Sequence, residues 1–162
     1  MEKRYRDFVI RSWEAGDRDA VIQLIASVLA EYGLGCEPEG ADIDIFKVEE
    51  YYHDRDGEFW VVERDRAIVG TAAYYPVKRG KNAVEIRKMY LVPEVRGLGL
   101  GKFLLAELEA AIQNRGFSEI WIETASVLKE AVQLYERRGY EAATGVETLR
   151  CDRVYKKELV SL

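Results

Sequence analysis

One short segment, residues 85–102, limits the folds open to this chain more than any other. It places strand-forming residues directly before a glycine-rich turn and an apolar helical pattern directly after it. The turn carries three glycines and a positive charge at each end: Arg96, Gly97, Gly99, Gly101 and Lys102. Without side chains, backbone N–H groups at a helix N-terminus can converge on an anion. The segment therefore predicts a strand–loop–helix unit that binds a phosphate or pyrophosphate.

Two common phosphate-binding loops do not match this spacing. A dinucleotide fingerprint requires G-x-G-x-x-G, and counting from Gly97 its third glycine would fall on Lys102. A P-loop requires Gly-Lys followed by Ser or Thr, whereas Gly101-Lys102 is followed by Phe103. The segment is therefore neither of these two motifs.

The spacing that does match is Arg-x-x-Gly-x-Gly, filled by Arg96, Gly99 and Gly101. With its preceding strand it resembles the acetyl-CoA-binding motif of the GCN5-related N-acetyltransferase (GNAT) superfamily. Residues 88–94 are similar to the end of that family's fourth strand. Residues 134–140 resemble its second signature, a helix ending in Leu-Tyr-Glu-x-x-Gly-aromatic. The two motifs stand in the family's order, so the resemblance extends over most of the chain.

Hydrophobic periodicity divides the chain into the order β-α-(α)-β-β-β-α-β-α-β-β. Asp17 is predicted to cap the first helix, and residues 36–56 are expected to be irregular and acidic around one short helix. The resemblance implies a three-layer α/β (α+β) fold, with a mixed central sheet of about seven strands flanked by helices. Its fourth and fifth strands splay apart, and the pantetheine arm of the cofactor enters the gap. There its amides can bond backbone groups that the splay leaves unpaired.

Composition narrows the classes of function. With 162 residues, 48% of them hydrophobic, the chain is expected to form one N-acetyltransferase domain over residues 1–162. A net charge of −5 without a basic patch disfavours general nucleic-acid binding. No apolar run approaches the ~18 residues of a membrane span, and Cys36 and Cys151 lack metal-ligand spacing. We therefore expect a reduced cytoplasmic protein with no metal site and no membrane contact.

The resemblance implies that a primary amine attacks acetyl-CoA directly within a ternary complex. An amine with a pKa near 10 must first lose a proton. Glu85, on the fourth strand eleven residues before Arg96, is the candidate base, because family members with a glutamate base carry it at this spacing. The alternatives are a Glu85 that only pairs with Arg87 or Lys88, and a base at Glu123 on the neighbouring strand.

Tyr135 is the candidate acid, because a phenol stays protonated at pH 7 and can donate to the departing sulfur. The alternative is a core aromatic on an apolar helical stripe. A backbone N–H at Leu91 is expected to hold the carbonyl oxygen. The cofactor-binding residues implied by the resemblance are Met89, Tyr90, Leu91, Val92, Arg96, Gly97, Leu98, Gly99, Leu100, Gly101 and Lys102. Leu128 stands where many family members carry asparagine, so contacts from that position are lost or pass to Ser126 or Lys129.

The acceptor is expected to be a small-molecule amine or a protein amine. Between the first strand and the first hairpin the chain is rich in carboxylates: Glu31, Glu37, Glu39, Asp42, Asp44, Glu49 and Glu50. They predict either an acidic rim that attracts a cationic amine, such as a polyamine or amino sugar, or a solvated loop. His53, the single histidine, is expected to be a surface or packing residue. The sequence also leaves open a different acyl-CoA, an alcohol acceptor, and a catalytically inactive CoA-binding sensor. An edge strand near the C-terminus leaves a homodimer open.

Overall fold

The computed structural model describes residues 1–160, which form one open sheet of eight strands with helices on both faces. The strands are β1 (Glu2–Tyr5), β2 (Phe8–Ser12), β3 (Glu58–Arg64), β4 (Ala67–Val77), β5 (Ala83–Leu91), β6 (Glu119–Thr124), β7 (Glu141–Ala143) and β8 (Arg153–Glu158). They lie in the order β1-β2-β3-β4-β5-β6-β8-β7. Among these strands β5 and β6 pair in parallel and all other neighbours are antiparallel. The predicted mixed α/β fold is confirmed.

The strand that hydrophobic patterning did not predict is β1. Its residues Glu2–Tyr5 alternate between exposed and half-buried, so the sequence has no apolar face there that would indicate a strand. It forms because the two-residue turn at Arg6, whose φ is +53°, folds it back antiparallel onto β2. The sheet therefore has eight strands where about seven were expected.

The helices lie in two layers, one on each face of the sheet. They are α1 (Arg18–Glu31), α2 (Ile43–Phe46), α3 (Val48–Tyr51), α4 (Leu100–Asn114) and α5 (Lys129–Arg137). Strand alternation supplies both cores: Trp60 and Val62 pack with α4 and α5, whereas Phe59 and Val61 pack with α1. Within residues 1–160 no helix combines the length and apolarity needed to cross a bilayer.

Asp17 occupies the N-cap position of α1 as predicted, but its side chain makes no capping hydrogen bond to that helix. It lies at the end of a 3₁₀ turn, Ala15–Asp17, directly before the helix. Its carboxylate accepts the Glu14 N–H at 2.8 Å and two N–H groups of Arg11, each also at 2.8 Å. The side chain is occupied by these donors, so it stabilises the preceding turn instead of the first turn of α1.

β5 separates from β6 halfway along its length. The pairing covers Ala83–Ile86 of β5 and ends at the Ile86–Ile122 pair, so the rest of β5 has no strand partner on that side within residues 1–160. This is the predicted splay of the fourth and fifth strands of the family pattern. On its other side, β5 carries a bulge opposite β4, where Lys88 takes a φ of +52°. The Thr71 hydroxyl donates to the Lys88 carbonyl at 2.6 Å and fixes this bulge.

Candidate active site

A cavity of about 230 Å³ opens where β5 and β6 stop pairing. Its walls come from both faces of the sheet, because α1 borders one side and α5 the other. We call it the through-sheet cavity. A smaller cavity of about 50 Å³ adjoins it and shares several lining residues, Arg87, Tyr90 and Glu123 among them. Glu85 lines the smaller cavity, whose lining includes Ala41 from the loop before α2.

The glycine loop has the backbone that the motif requires. Gly97 and Gly99 take φ values of +77° and +81°, a left-handed conformation that favours glycine, and α4 begins at the next residue, Leu100. The N–H groups of the first turn of α4 have no partners within the helix and can bind an anion. Gly101 lies in that first turn and lines the through-sheet cavity.

Tyr5 of β1 supports this loop, and sequence reasoning missed it. Its hydroxyl donates to the Leu98 carbonyl at 2.7 Å, and its ring stacks on Phe103 with centroids 4.7 Å apart. A Cβ added at Gly99 would lie 2.6 Å from that hydroxyl. A side chain at Gly99 would therefore displace the Tyr5 hydroxyl and would also strain a φ of +81°.

The predicted cofactor-binding residues divide into two groups. Those that line the through-sheet cavity are Met89, Tyr90, Leu91, Arg96, Gly97 and Gly101. Those outside its lining are Val92, Leu98, Gly99, Leu100 and Lys102. The Leu100 side chain is buried in the core with 1% exposure, so only its backbone can face a ligand.

Arg96 is engaged by residues far from its own loop as well as by the strand before it. Its guanidinium donates to Glu31 at 2.8 and 3.0 Å and to the Leu91 carbonyl at 2.8 and 3.1 Å. It therefore links α1 to the end of β5 beside the glycine loop. A phosphate contact by Arg96 stays a prediction.

Glu85 is buried, with 6% exposure, and its carboxylate accepts one hydrogen bond from Arg87 at 2.9 Å. Burial raises the pKa of Glu85, because a charged carboxylate loses hydration there, while the neighbouring Arg87 opposes the increase. Lys88, the other partner considered, pairs with Asp42 and Asp44 instead. Glu85 is both a paired carboxylate and a cavity-lining one.

Glu123 has the opposite environment. Burial alone would raise its pKa, but N–H groups of Thr148 and Glu147 and the Arg79 guanidinium bond the charged form and lower it. The Thr148 N–H and Arg79 contacts are both 2.8 Å long. Because a base needs free lone pairs and a raised pKa, these contacts favour Glu85 over Glu123.

Tyr135 combines both roles considered from sequence. Its ring belongs to the core of α4 and α5, and the residue also lines the through-sheet cavity. Within residues 1–160 its hydroxyl has no hydrogen-bond partner, and burial raises its pKa, so the phenol remains protonated at neutral pH. Ile86 packs with α4 and α5, so strand alternation turns Glu85 toward α1. Glu85, which lines the smaller cavity, and Tyr135, which lines the through-sheet cavity, therefore lie on opposite faces of the sheet.

A buried ion-pair network borders the smaller cavity, and no sequence pattern indicated it. Asp42 is fully buried and accepts from Arg150 at 2.6 and 2.9 Å and from the Glu37 N–H at 2.8 Å. The Lys88 ammonium lies 3.0 Å away. Asp44, with 2% exposure, accepts the Tyr52 hydroxyl at 2.5 Å. These contacts join the loop before α2, β5 and the loop before β8.

The prediction of an acidic rim or a solvated loop is therefore wrong for some of the seven carboxylates. Asp42 and Asp44 are buried in this network, so they are neither rim nor solvated loop. Two further carboxylates are paired, Glu31 with Arg96 and Glu49 with Arg18. Hydrophobicity patterns cannot separate an exposed carboxylate from one that is buried against a distant cation.

Leu128 stands where many family members carry asparagine, and Ser126 and Lys129 are the residues considered for taking over its contacts. Leu128 lines the through-sheet cavity with an apolar side chain. The Ser126 N–H and hydroxyl both donate to Asp152 at 2.6 Å, so Ser126 is already engaged, and Lys129 lies outside the cavity lining.

His53 is exposed and meets the Trp13 ring edge-on, with centroids 5.8 Å apart.

Comparison with known proteins gives a family match, similar sequences and similar solved structures. The acetyltransferase (GNAT) family matches residues 22–140. The chain is 33% identical over 136 residues to the uncharacterized N-acetyltransferase YjgM of Escherichia coli, covering 82% of this chain and 81% of that one. A GNAT-family acetyltransferase structure from Staphylococcus aureus Mu50 superposes with a TM-score of 0.87 at 20% identity, covering 94% and 99% of the two chains. Salmonella typhimurium yncA, solved with its cofactor acetyl-CoA, gives 0.73 at 18% identity, covering 97% and 96%.

Proposed function

Because the chain belongs to the acetyltransferase (GNAT) family and is therefore an acyltransferase, we propose that it acetylates a primary amine with acetyl-CoA. In this proposal residues 1–162 act as one domain, and the amine attacks directly within a ternary complex. The observation that supports it best is the pair of adjoining cavities, because Glu85 lines the smaller one and Tyr135 lines the through-sheet cavity on the other face of the sheet. The amine and the thioester can therefore reach one point from opposite faces of the sheet.

The residues present fit a coenzyme A thioester. The glycine loop offers N–H groups for a pyrophosphate, and residues 87–91 of β5 have no partner on the β6 side, where pantetheine amides can bond. Structural relatives such as yncA bind acetyl-CoA. When bound, acetyl-CoA supplies the reactive thioester carbonyl.

The chain's own residues then accept one proton, donate another, and stabilise the negative charge that develops on the carbonyl oxygen. Glu85 takes the proton of the ammonium, directly or through a water, because its burial makes it a stronger base than an exposed glutamate. The Leu91 N–H is assigned to the carbonyl oxygen. Tyr135 gives its proton to the departing sulfur and regains, through solvent, the second proton that the attacking nitrogen releases as the amide forms.

Replacing Tyr135 with Phe is expected to lower kcat about 10²-fold while acetyl-CoA affinity stays within about threefold. Only the hydroxyl is removed, and it has no hydrogen-bond partner within residues 1–160, so stability should hold. Steady-state CoA release gives kcat, and calorimetric titration gives the affinity.

Tyr140→Phe is the matched control. It removes a hydroxyl that donates to Glu109 at 2.9 Å in the same core, outside the cavity lining. This variant should lose about 1 kcal/mol of stability and keep its kcat. Equal turnover in both variants would remove Tyr135 from the acid role.

The proposal as a whole is tested by titrating acetyl-CoA, propionyl-CoA and longer acyl-CoAs in a calorimeter, followed by CoA-release assays with amines. We expect acetyl-CoA to bind and the affinity to fall as the acyl chain lengthens. Tighter binding of a longer chain would favour a different acyl donor. Binding without turnover of any amine or alcohol would favour a CoA-binding sensor, and no binding at all would contradict the proposal.

A further inference from the structure

The α1 side of the through-sheet cavity carries an apolar wall beside the paired cations Lys88 and Arg96. Val28, Leu29 and Leu34 line it, together with the aromatic rings of Tyr32 and Tyr90. This is the side toward which Glu85 points, so the wall borders the space left for the acceptor. An acceptor that fills it must place carbon against these side chains.

The buried charged groups around that space already neutralise one another, and the exposed Glu37 approaches Arg150 to 3.8 Å at its outer edge. The carboxylates are Asp42, Asp44, Glu85 and Glu123, and the cations are Arg79, Arg87, Lys88 and Arg150. Four negative charges thus face four positive ones. The acceptor space carries no excess charge of either sign from these groups.

Within residues 1–160, none of these carboxylates is left over for a second cationic group, because the one buried oxygen among them without a hydrogen bond, Asp44 Oδ1, lies 3.3 Å from the Lys88 ammonium. Asp42 accepts from Arg150, Lys88 and the Glu37 N–H, and Glu123 accepts from Arg79 and two backbone N–H groups. Glu85 has only Arg87 as a partner, and its lone pairs serve the reacting nitrogen itself. A second ammonium buried here would lose its hydration without gaining an ion pair.

We propose that the acceptor is a primary monoamine with an apolar carbon skeleton, an alkylamine or aralkylamine, rather than a polyamine or an amino sugar. The proposal rests on the acetyltransferase function argued above. It infers the substrate class of the same site from the apolar wall and from the balanced charges around it.

The first test compares amines on the native protein. Across propylamine, butylamine, pentylamine and hexylamine, kcat/KM should rise about fourfold per added methylene until the wall is covered. Pentane-1,5-diamine should react about 10²-fold more slowly than pentylamine, because its second ammonium has no partner. Spermidine and glucosamine should be as poor as the diamine.

The second test changes the wall. Leu34 is half-buried in the loop after α1, so Leu34→Glu adds a carboxylate to the acceptor space without altering a helix. It should lower kcat/KM for hexylamine at least 10-fold and raise it for the diamine. Leu149→Glu makes the same charge change at a fully exposed position outside the lining and should alter neither. Thermal melting and acetyl-CoA titration of both variants check that the fold and the cofactor site are intact.

The outcomes separate the two proposals. A native preference for spermidine, glucosamine or the diamine overturns the acceptor class and leaves acetyl transfer standing. Acetyl-CoA binding without turnover of any monoamine also overturns it. Failure to bind acetyl-CoA at all removes the proposed function instead. A rising alkylamine series, together with an inverted preference in Leu34→Glu alone, supports the inference.

Discussion

Replacing Glu85 with Gln is expected to lower kcat by about 10²- to 10³-fold while acetyl-CoA affinity stays within about threefold. The amide keeps the size of the side chain and can still accept from Arg87, so the wall of the smaller cavity is preserved. What disappears is the group that accepts the ammonium proton. Steady-state CoA release with a saturating amine measures kcat, and calorimetric titration measures the affinity. Full activity in this variant would exclude Glu85 as the base.

The pH dependence identifies which carboxylate acts. The base must be ionised, so kcat/KM should rise with pH through the pKa of Glu85, which burial holds above its usual value. Arg87→Gln removes the cation that opposes this increase, so the acid limb should move to higher pH. Arg79→Gln loosens Glu123 and leaves the Glu85–Arg87 contact intact, and because Arg79 lowers the pKa of Glu85 less than Arg87 does, the limb should move less than in Arg87→Gln. The reverse pattern would assign the base to Glu123.

Gly101→Glu is expected to weaken acetyl-CoA binding by at least about 10²-fold without destabilising the fold. Gly101 lies in the first turn of α4 outside the left-handed region, and an added Cβ would meet Leu134 at an ordinary 3.5 Å. Glutamate has a helix propensity about 0.5–1 kcal/mol better than that of glycine, and its charge is favourable at a helix N-terminus. The same charge repels the phosphates that the loop is proposed to hold.

Calorimetric titration and thermal unfolding of Gly101→Glu measure the two effects separately. Gly101→Ala is the control, because it makes the same backbone change without the charge and should bind much more tightly than the glutamate variant. Gly99 is less suitable, since a side chain there meets the Tyr5 hydroxyl and strains a φ of +81°. Unaltered affinity in Gly101→Glu would show that the glycine loop is only a structural turn.

The parts of the fold that could be predicted are those whose signal is local. The β5–loop–α4 unit is continuous in sequence, and its glycines lie where left-handed backbone and a helix start require them. The stripe of α4 and the α5 signature likewise follow from periodicity within single elements. These local signals, with the family resemblance, were sufficient to predict the central sheet and where its two strands separate.

The parts that could not be predicted depend on contacts between distant charged residues. Arg150 and Asp42 lie 108 positions apart and carry no periodic pattern, yet their ion pair borders the acceptor space. The hydrogen bonds that lower the pKa of Glu123 come largely from backbone N–H groups, which leave no mark in the side-chain sequence. Edge strand β1 was missed for a related reason, because it has no apolar face.

The β5 bulge at Lys88 decides which side chains meet each reactant. In a regular strand, residues five apart point to opposite faces, so Glu85 and Tyr90 would be separated by the sheet. The extra residue reverses the alternation once, and Tyr90 packs with α1 while Met89 packs with α4 and α5. One inserted residue thus gathers the proposed base and an aromatic wall on one side of the sheet, which is the acceptor side in our proposal, and leaves the opposite side to the proposed thioester.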